Sequence, residues 1–391
     1  MISVEEALQK INNHTKKGTP VLKSLRECLN YITAENIFSP IDMPPFRQSA
    51  MDGYAICTHN SNKYTLKGEI KAGDAPNYKL KTGEAVRIFT GAAVPDSANA
   101  VIMQEKTKVE NNLLIIEETP KAEQNIRPKG EQINARELVI EKNSELSPSA
   151  LSFITSLGIH EILVYPKPRI SIVITGNELI EAGQPYVEGK IFESNSIMLS
   201  GVLQQEGIND VQVLKVKDDF ESTKSVLKQA IFSSDFVLVS GGISVGDYDF
   251  TGKALLKLNT EEIFYKIKQK PGKPLYFGKN GNTYIFALPG NPASALTCFY
   301  MYALPMIRAF YGCSEPNLNR TAKRIAHNYQ VKGIRAQFLK ARINNEEEVE
   351  ILGLQSSAMV HGFINANALV YIPENSGFIK KDSKVEVILL Q

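Results

Sequence analysis

Between residues 167 and 312 the hydrophobic pattern changes period repeatedly, and no other feature restricts the possible folds as strongly. Short apolar runs (RISIVIT, VQVLKV, DFVLVS) alternate with stretches of helical spacing (SNSIMLSGVLQQEG, residues 219–232, TGKALLKL). EIFYKIK, NTYIFALPG and PASALTCFYMYALPMIRAFYG continue the series. Strands thus alternate with helices, so residues 167–312 are predicted to form one doubly wound α/β domain. Ligands of such domains bind at the C-terminal ends of the strands.

Four loops fall there: TGNEL (175–179), KDDF (217–220), SGGISVGDYDF (240–250) and LPGNPAS (288–294). They bring together glycine amides, the hydroxyls of Ser240, Ser244 and Ser294, and the carboxylates of Glu178, Asp218, Asp219, Asp247 and Asp249. That set suits phosphates and a hard divalent cation, which prefers oxygen ligands. Gly and Asp are also ordinary turn and cap residues, so one such loop carries little; four at one sheet edge carry more.

The run Gly242–Gly246 also fits the G-x-S-x-G turn of serine hydrolases. That turn needs a helix starting at the nucleophile, whereas Ser244 is followed by VGDYDF, and both later histidines, His327 and His361, lie beyond the α/β domain. The nucleophile reading is therefore the weaker one.

In IFYKIKQKPGKP, Lys266, Lys268 and Lys270 alternate at strand period two, with Lys273 close behind. A regular strand would project three ammonium groups from one face, forming either an edge protected against aggregation or a rail for an anionic substrate.

The flanks differ. MISVEEALQK opens a helix capped by Ser3 and Glu6, and it lacks the basic-then-apolar layout of a secretory signal. Short strands broken by KAGDAP, KTGEA and GAAVPDSANA follow, then a helix opened by Ser147 and Pro148 and a linker at YPKPR. After residue 312 short β segments take over (RAQFLKARI, VEILGLQ, ANALVYIP, SKVEVILL), predicting a terminal β-barrel or sandwich. A net charge of +2 speaks against nucleic-acid binding. Cys28, Cys57, Cys298 and Cys313 form no C-x-x-C pair and read as free thiols of a cytoplasmic protein. Pro289, Gly290, Asn291 and Pro292 break the one long uncharged stretch, so no membrane span is expected.

PPFRQSAMDGYA (44–55), RIFTGAAVP (87–95), TGNEL, SGGISVGDYDF, KPGKP, LPGNPAS and LQSSAMV, in this order, resemble the molybdopterin molybdenumtransferases, a family that includes the C-terminal domain of gephyrin. The resemblance implies an elongated N-terminal domain (1–45 with 135–166), an inserted β-rich domain (46–134), the central molybdopterin-binding domain (167–312) and a C-terminal β domain (313–391). It implies a homodimer with an intersubunit active site, and insertion of molybdenum from molybdate into adenylylated molybdopterin with release of AMP, requiring Mg²⁺ or another divalent cation. The partners it implies are the adenylyltransferase upstream and the molybdoenzyme machinery downstream.

By motif, Asp52, Thr90, Glu178, Asp218 and Asp249 take catalytic roles, and Glu178, Asp218 and Asp249 also hold the metal. Ser240, Gly241 and Gly242 hold phosphates, while Lys266, Lys270, Lys273, Ser294, Lys340 and Ser357 bind anionic groups. Three positions depart from the family pattern. Asn177 replaces an acidic residue, Ser356 a glycine, and Lys340 an arginine whose bidentate fork lysine cannot reproduce. An adenylyltransferase would carry a GG-T-G loop and none of the flanking motifs, and a peptide-binding scaffold would not need the acidic and basic residues retained here.

Overall fold

The computed structural model describes residues 1–75, 77–243 and 250–390, divided into two compact units. Ser244, Asp247 and Asp249 lie outside the described residues. No described helix is long and apolar enough to cross a membrane, and all four cysteines are free thiols.

One unit comprises residues 23–29 and 35–162. Its main sheet has six strands in the order Ala100–Met103, Gly53–Ile56, Glu84–Ile88, Lys63–Ile70, Leu113–Ile116, Thr107–Glu110. Alternate residues serve two cores: Ala55, Val86 and Val101 pack on one side, and Tyr54, Ile56 and Ile102 on the other. Gly53 is required by close approach, since a Cβ there would lie 2.0 Å from the carbonyl oxygen of Ile102. The expected helix is present as Pro148–Ser156, with the Ser147 hydroxyl accepting from the Ala150 amide at 3.2 Å.

The other unit comprises residues 1–22, 30–34 and 163–391. Its central sheet runs Val211–Val216, Ile170–Thr175, Phe236–Ser240, Thr283–Leu288, Tyr276–Asn280, Glu261–Tyr265. The first four strands are parallel and the last two pairings antiparallel. The doubly wound α/β reading holds, but the series ends in a meander: LYFGKN contains a strand, Tyr276–Asn280, that is joined to Thr283–Leu288 by a tight turn and to Glu261–Tyr265 by residues 266–275, with no helix in either connection. Both sheet faces are covered. Ile170, Ile172 and Ile174 pack into a core with Leu199, Leu203 and Phe299, while Val173, Val237 and Val239 face Leu227, Ala254 and Leu255. Two-sided burial is why these strands show no polar alternation.

The chain-start helix, Val4–His14, buries Val4, Ala7 and Ile11 and leaves Leu8 half-buried, and the Ser3 hydroxyl accepts from the Glu6 amide at 3.1 Å. The C-terminal β domain is a sheet ordered Gln269–Lys270, Ala336–Ile343, Ala368–Ile372, Lys384–Leu389, Arg320–Arg324. Its edge strand comes from the α/β domain: Gln269 and Lys270 pair in parallel with Ala336 and Gln337, tying the two domains of this unit at one seam.

Candidate active site

The strand order places Ile170–Thr175 between Val211–Val216 and Phe236–Ser240, so the chain leaving Ile170–Thr175 passes to one side of the sheet and the chain leaving Phe236–Ser240 to the other. A cleft of about 720 Å³ opens there, lined among others by Thr175, Glu178, Asp218, Ser240, Gly241 and Gly242. Five of the residues singled out from the sequence thus share one cavity, as the switch-point rule requires.

Gly241 and Gly242 adopt φ of 93° and 63°. A Cβ on Gly241 would lie 2.7 Å from the Thr175 carbonyl oxygen, and one on Gly242 2.5 Å from the Thr251 hydroxyl. Only glycine permits this backbone. Beneath it, the hydroxyls of Thr175 and Thr251 are buried with no hydrogen-bond partner among the described residues. Asn195 ties the surrounding loops by donating to the Ser240 hydroxyl at 2.7 Å and to the Gly290 carbonyl at 2.8 Å.

Asn177 and Asp218 are joined reciprocally. Asp218 Oδ2 accepts from the Asn177 amide at 2.8 Å, and Asn177 Oδ1 from the Asp218 amide at 3.2 Å. These bonds connect the two loops that carry Glu178 and Asp218, and they use only groups that an aspartate at 177 would also supply. Among the described residues no three His, Cys, Asp or Glu side chains converge to hold a metal ion. Glu178 and Asp218 on this cleft still match Mg²⁺, which takes one or two protein carboxylates and fills its sphere with phosphate oxygens and water.

A second cleft, of about 760 Å³, lies between the α/β and β domains of the same unit and shares Pro274, Pro289 and Asn291 with the first. It is lined by Lys270, Lys273, Ser294, Lys332, Arg335 and Ser357, among others. The loop around Ser357 is fastened to LPGNPAS, since Asn291 Nδ2 lies 3.1 Å from Ser357 Oγ and the Ser294 amide donates to the Ser357 carbonyl at 3.2 Å. Lys332 and Arg335 were not among the residues expected from the sequence. They flank Gly333 in an unremarkable turn, and only the pairing of Gln269–Lys270 with Ala336–Gln337 brings that turn to the cleft.

The lysine rail needs correction. Its strand ends at Tyr265, and Lys266 has φ of 71°, so no regular strand runs through the three lysines. Inward and outward positions do alternate, with Ile267 and Gln269 fully buried, but only Lys270 and Lys273 line the second cleft. Lys266 Nζ sits 4.4 Å from the centre of the Tyr265 ring.

Lys340 is also placed differently from the expectation: it is 3% exposed and lines neither cleft. Its ammonium donates to the carbonyls of Met359 and Ser356 at 3.0 and 3.4 Å, and burial holds its pKa below the ordinary lysine value. The side chain props the loop that carries Ser357 from below.

In the other unit, Asp52 Oδ1 accepts from both the amide and the hydroxyl of Thr90, each at 2.7 Å. These two bonds, the amide's foremost, hold the Asp52 carboxyl below its ordinary pKa, with Arg87 adding a smaller effect. Arg87 lies over the rings of Tyr54 and Phe89, at 4.9 and 5.3 Å.

Three family models together cover most of the chain: the MoeA N-terminal region (domain I and II) over residues 2–158, a probable molybdopterin binding domain over 171–309, and the MoeA C-terminal region (domain IV) over 324–390. A molybdopterin molybdenumtransferase of Haemophilus influenzae is 34% identical over 373 residues, covering 93% of this chain and 92% of the relative. One from Nostoc is 32% identical over 375 residues, covering 92% and 86%. The crystal structure of a molybdopterin biosynthesis MoeA protein from Pyrococcus horikoshii superposes with a TM-score of 0.85 at 28% identity, covering 100% of this chain and 99% of that one. The motifs, the paired clefts and these likenesses converge, and the chain belongs to the molybdopterin molybdenumtransferase family.

Proposed function

We propose that the protein inserts molybdenum from molybdate into adenylylated molybdopterin, releasing AMP and forming the molybdenum cofactor. The observation that carries this reading is the pair of confluent clefts, one lined by glycines and carboxylates and the other by cations, meeting at Pro274, Pro289 and Asn291. The first suits the pyrophosphate of the nucleotide-linked pterin: Gly241 and Gly242 keep side chains out of its path, and beside them stand the hydroxyls of Thr175 and Thr251, unpartnered among the described residues. The second suits molybdate, a dianion that needs several fixed cations to approach another anion.

Lys270, Lys273, Lys332 and Arg335 supply the positive charge, and Ser294 and Ser357 the neutral polar lining. Glu178 and Asp218, with Asp249 from outside the described residues, are the proposed holders of Mg²⁺, which when bound neutralises phosphate charge. Asp52 and Thr90 are proposed to act as one unit, because each is held by the other. We further propose that the protein works as a cytoplasmic homodimer, receives its substrate from the adenylyltransferase and passes its product to the molybdoenzyme machinery.

The test incubates the purified full chain with adenylylated molybdopterin, molybdate and Mg²⁺. It measures AMP release together with the cofactor formed, read by reconstitution of a cofactor-free molybdoenzyme. Molybdate-dependent AMP release is the expected result. Substrate binding without turnover would replace the enzyme reading with that of a binding scaffold.

A further inference from the structure

We propose that Gln269 is a positioning residue that sets the cations of the second cleft as one rigid oxyanion-binding unit, and that Tyr302 holds its amide in the required orientation. The proposal rests on the reading of that cleft as the molybdate site.

Gln269 is fully buried, where a polar side chain is costly unless its groups are hydrogen-bonded. Its groups are all used. Nε2 donates to the Pro271 carbonyl at 3.0 Å and lies 3.4 Å from that of Gly272, while Oε1 accepts from the Tyr302 hydroxyl. Carbonyls only accept, so the amide cannot be flipped and Tyr302 must be the donor. Tyr302 is itself fully buried, and burial above all pushes its pKa well up, so the hydroxyl keeps its proton.

These contacts fall on the turn between Lys270 and Lys273. The turn is pressed onto the amide, since a Cβ on Gly272 would lie 2.9 Å from Gln269 Nε2 and 2.3 Å from Cys298 Sγ. The backbone of Gln269 completes the unit: its carbonyl accepts from Arg335 Nη1 at 3.2 Å. One residue thereby ties the two neighbouring lysines to an arginine 66 positions away in sequence. A second buried glutamine supports the same edge, as Gln337 is register partner of Lys270 and donates to the Lys332 carbonyl at 2.8 Å. Arginine and lysine side chains bind an oxyanion well only when their backbones are fixed, because otherwise ordering them costs conformational entropy on binding.

The test uses the full chain with Tyr302→Phe, Gln269→Met and the double variant. Molybdate binding is measured by calorimetry, alongside the KM for molybdate, the KM for adenylylated molybdopterin and the melting temperature. Each single variant is expected to weaken molybdate binding roughly tenfold, the effect of losing one or two buried hydrogen bonds. The KM for the organic substrate should change less than about twofold, and the double variant should be no weaker than Gln269→Met, since Tyr302 acts through the amide. Folded Tyr302→Phe protein that binds molybdate as the unaltered chain does would overturn the proposal, whatever becomes of Gln269→Met. An unaltered chain that binds no molybdate would instead sink the oxyanion reading of the cleft.

Discussion

Asp52 and Thr90, 38 positions apart, meet through a single carboxylate oxygen that takes both the amide and the hydroxyl of Thr90 at 2.7 Å. Two separate motifs supply them, and these two bonds join them. Asp52→Asn keeps an oxygen for the amide but removes the charge. We expect AMP release to fall by roughly 100-fold, the scale of losing a positioned catalytic group, with little change in melting temperature. Thr90→Val should lose less, because the amide bond survives.

The glycine cradle makes a prediction about stability. Gly241→Ala places a methyl group 2.7 Å from the Thr175 carbonyl oxygen at φ of 93°. The expected cost is about 2 kcal/mol, read from urea unfolding, with loss of pterin-nucleotide binding. Unchanged stability would mean that the loop can rearrange.

Glu206 links the helix Asn195–Gln205 to the helix Leu304–Phe310. Its carboxylate takes a forked pair of bonds from Arg308, at 2.9 and 2.5 Å, and a third from the Tyr311 hydroxyl at 2.7 Å. Burial would raise its pKa, but the bonds from Arg308 and Tyr311 outweigh it, and the carboxyl is held below its ordinary value. Its stabilising contribution is therefore complete above the ordinary carboxylate pKa and lost as pH falls through the depressed one. Glu206→Gln should cost about 3 kcal/mol at neutral pH by leaving Arg308 half-paired, and it should flatten this part of the acid-unfolding curve.

Lys340→Met separates a supporting role from a ligand-binding one. Each carbonyl that the ammonium reaches keeps another donor, Gly362 for Met359 and Met359 for Ser356, so stability at pH 7 should stay within about 1 kcal/mol of the parent. Because the folded pKa of Lys340 lies below its ordinary 10.5, the unfolded chain binds more protons between the two values. The parent should therefore gain stability over the variant as pH rises through that window. Molybdate binding should fall much less than in Lys270→Glu; an equal fall would place the Lys340 ammonium on the anion.

Charge reversal in Lys270→Glu should weaken molybdate binding more than raising salt does for the parent, because salt screens exposed charges more than those inside a cleft. Equal binding by variant and parent would remove Lys270 from the site.

The sequence by itself determined the α/β domain and the first cleft. Short strands alternating with helical stretches form a doubly wound sheet, and its parallel strands end at one edge, so TGNEL, KDDF and SGG meet there. Asp52 and Thr90 were legible as motifs but not as a pair, since their bond depends on the register of a sheet in which Gly53 faces Ile88. The second cleft was decided by tertiary structure alone. Alternating lysines promised a rail, yet the backbone turns at Lys266, and the cations that line the cleft come from two segments joined by the parallel pairing of Gln269 with Ala336. Residues 336–341 are buried on both faces, so spacing could not tell that Lys340 points into the protein while Arg335, just before the strand, borders the cleft. Local periodicity reports which residues leave water; which distant residues they then meet is set by strand register and packing, to which a pattern read along one chain is blind.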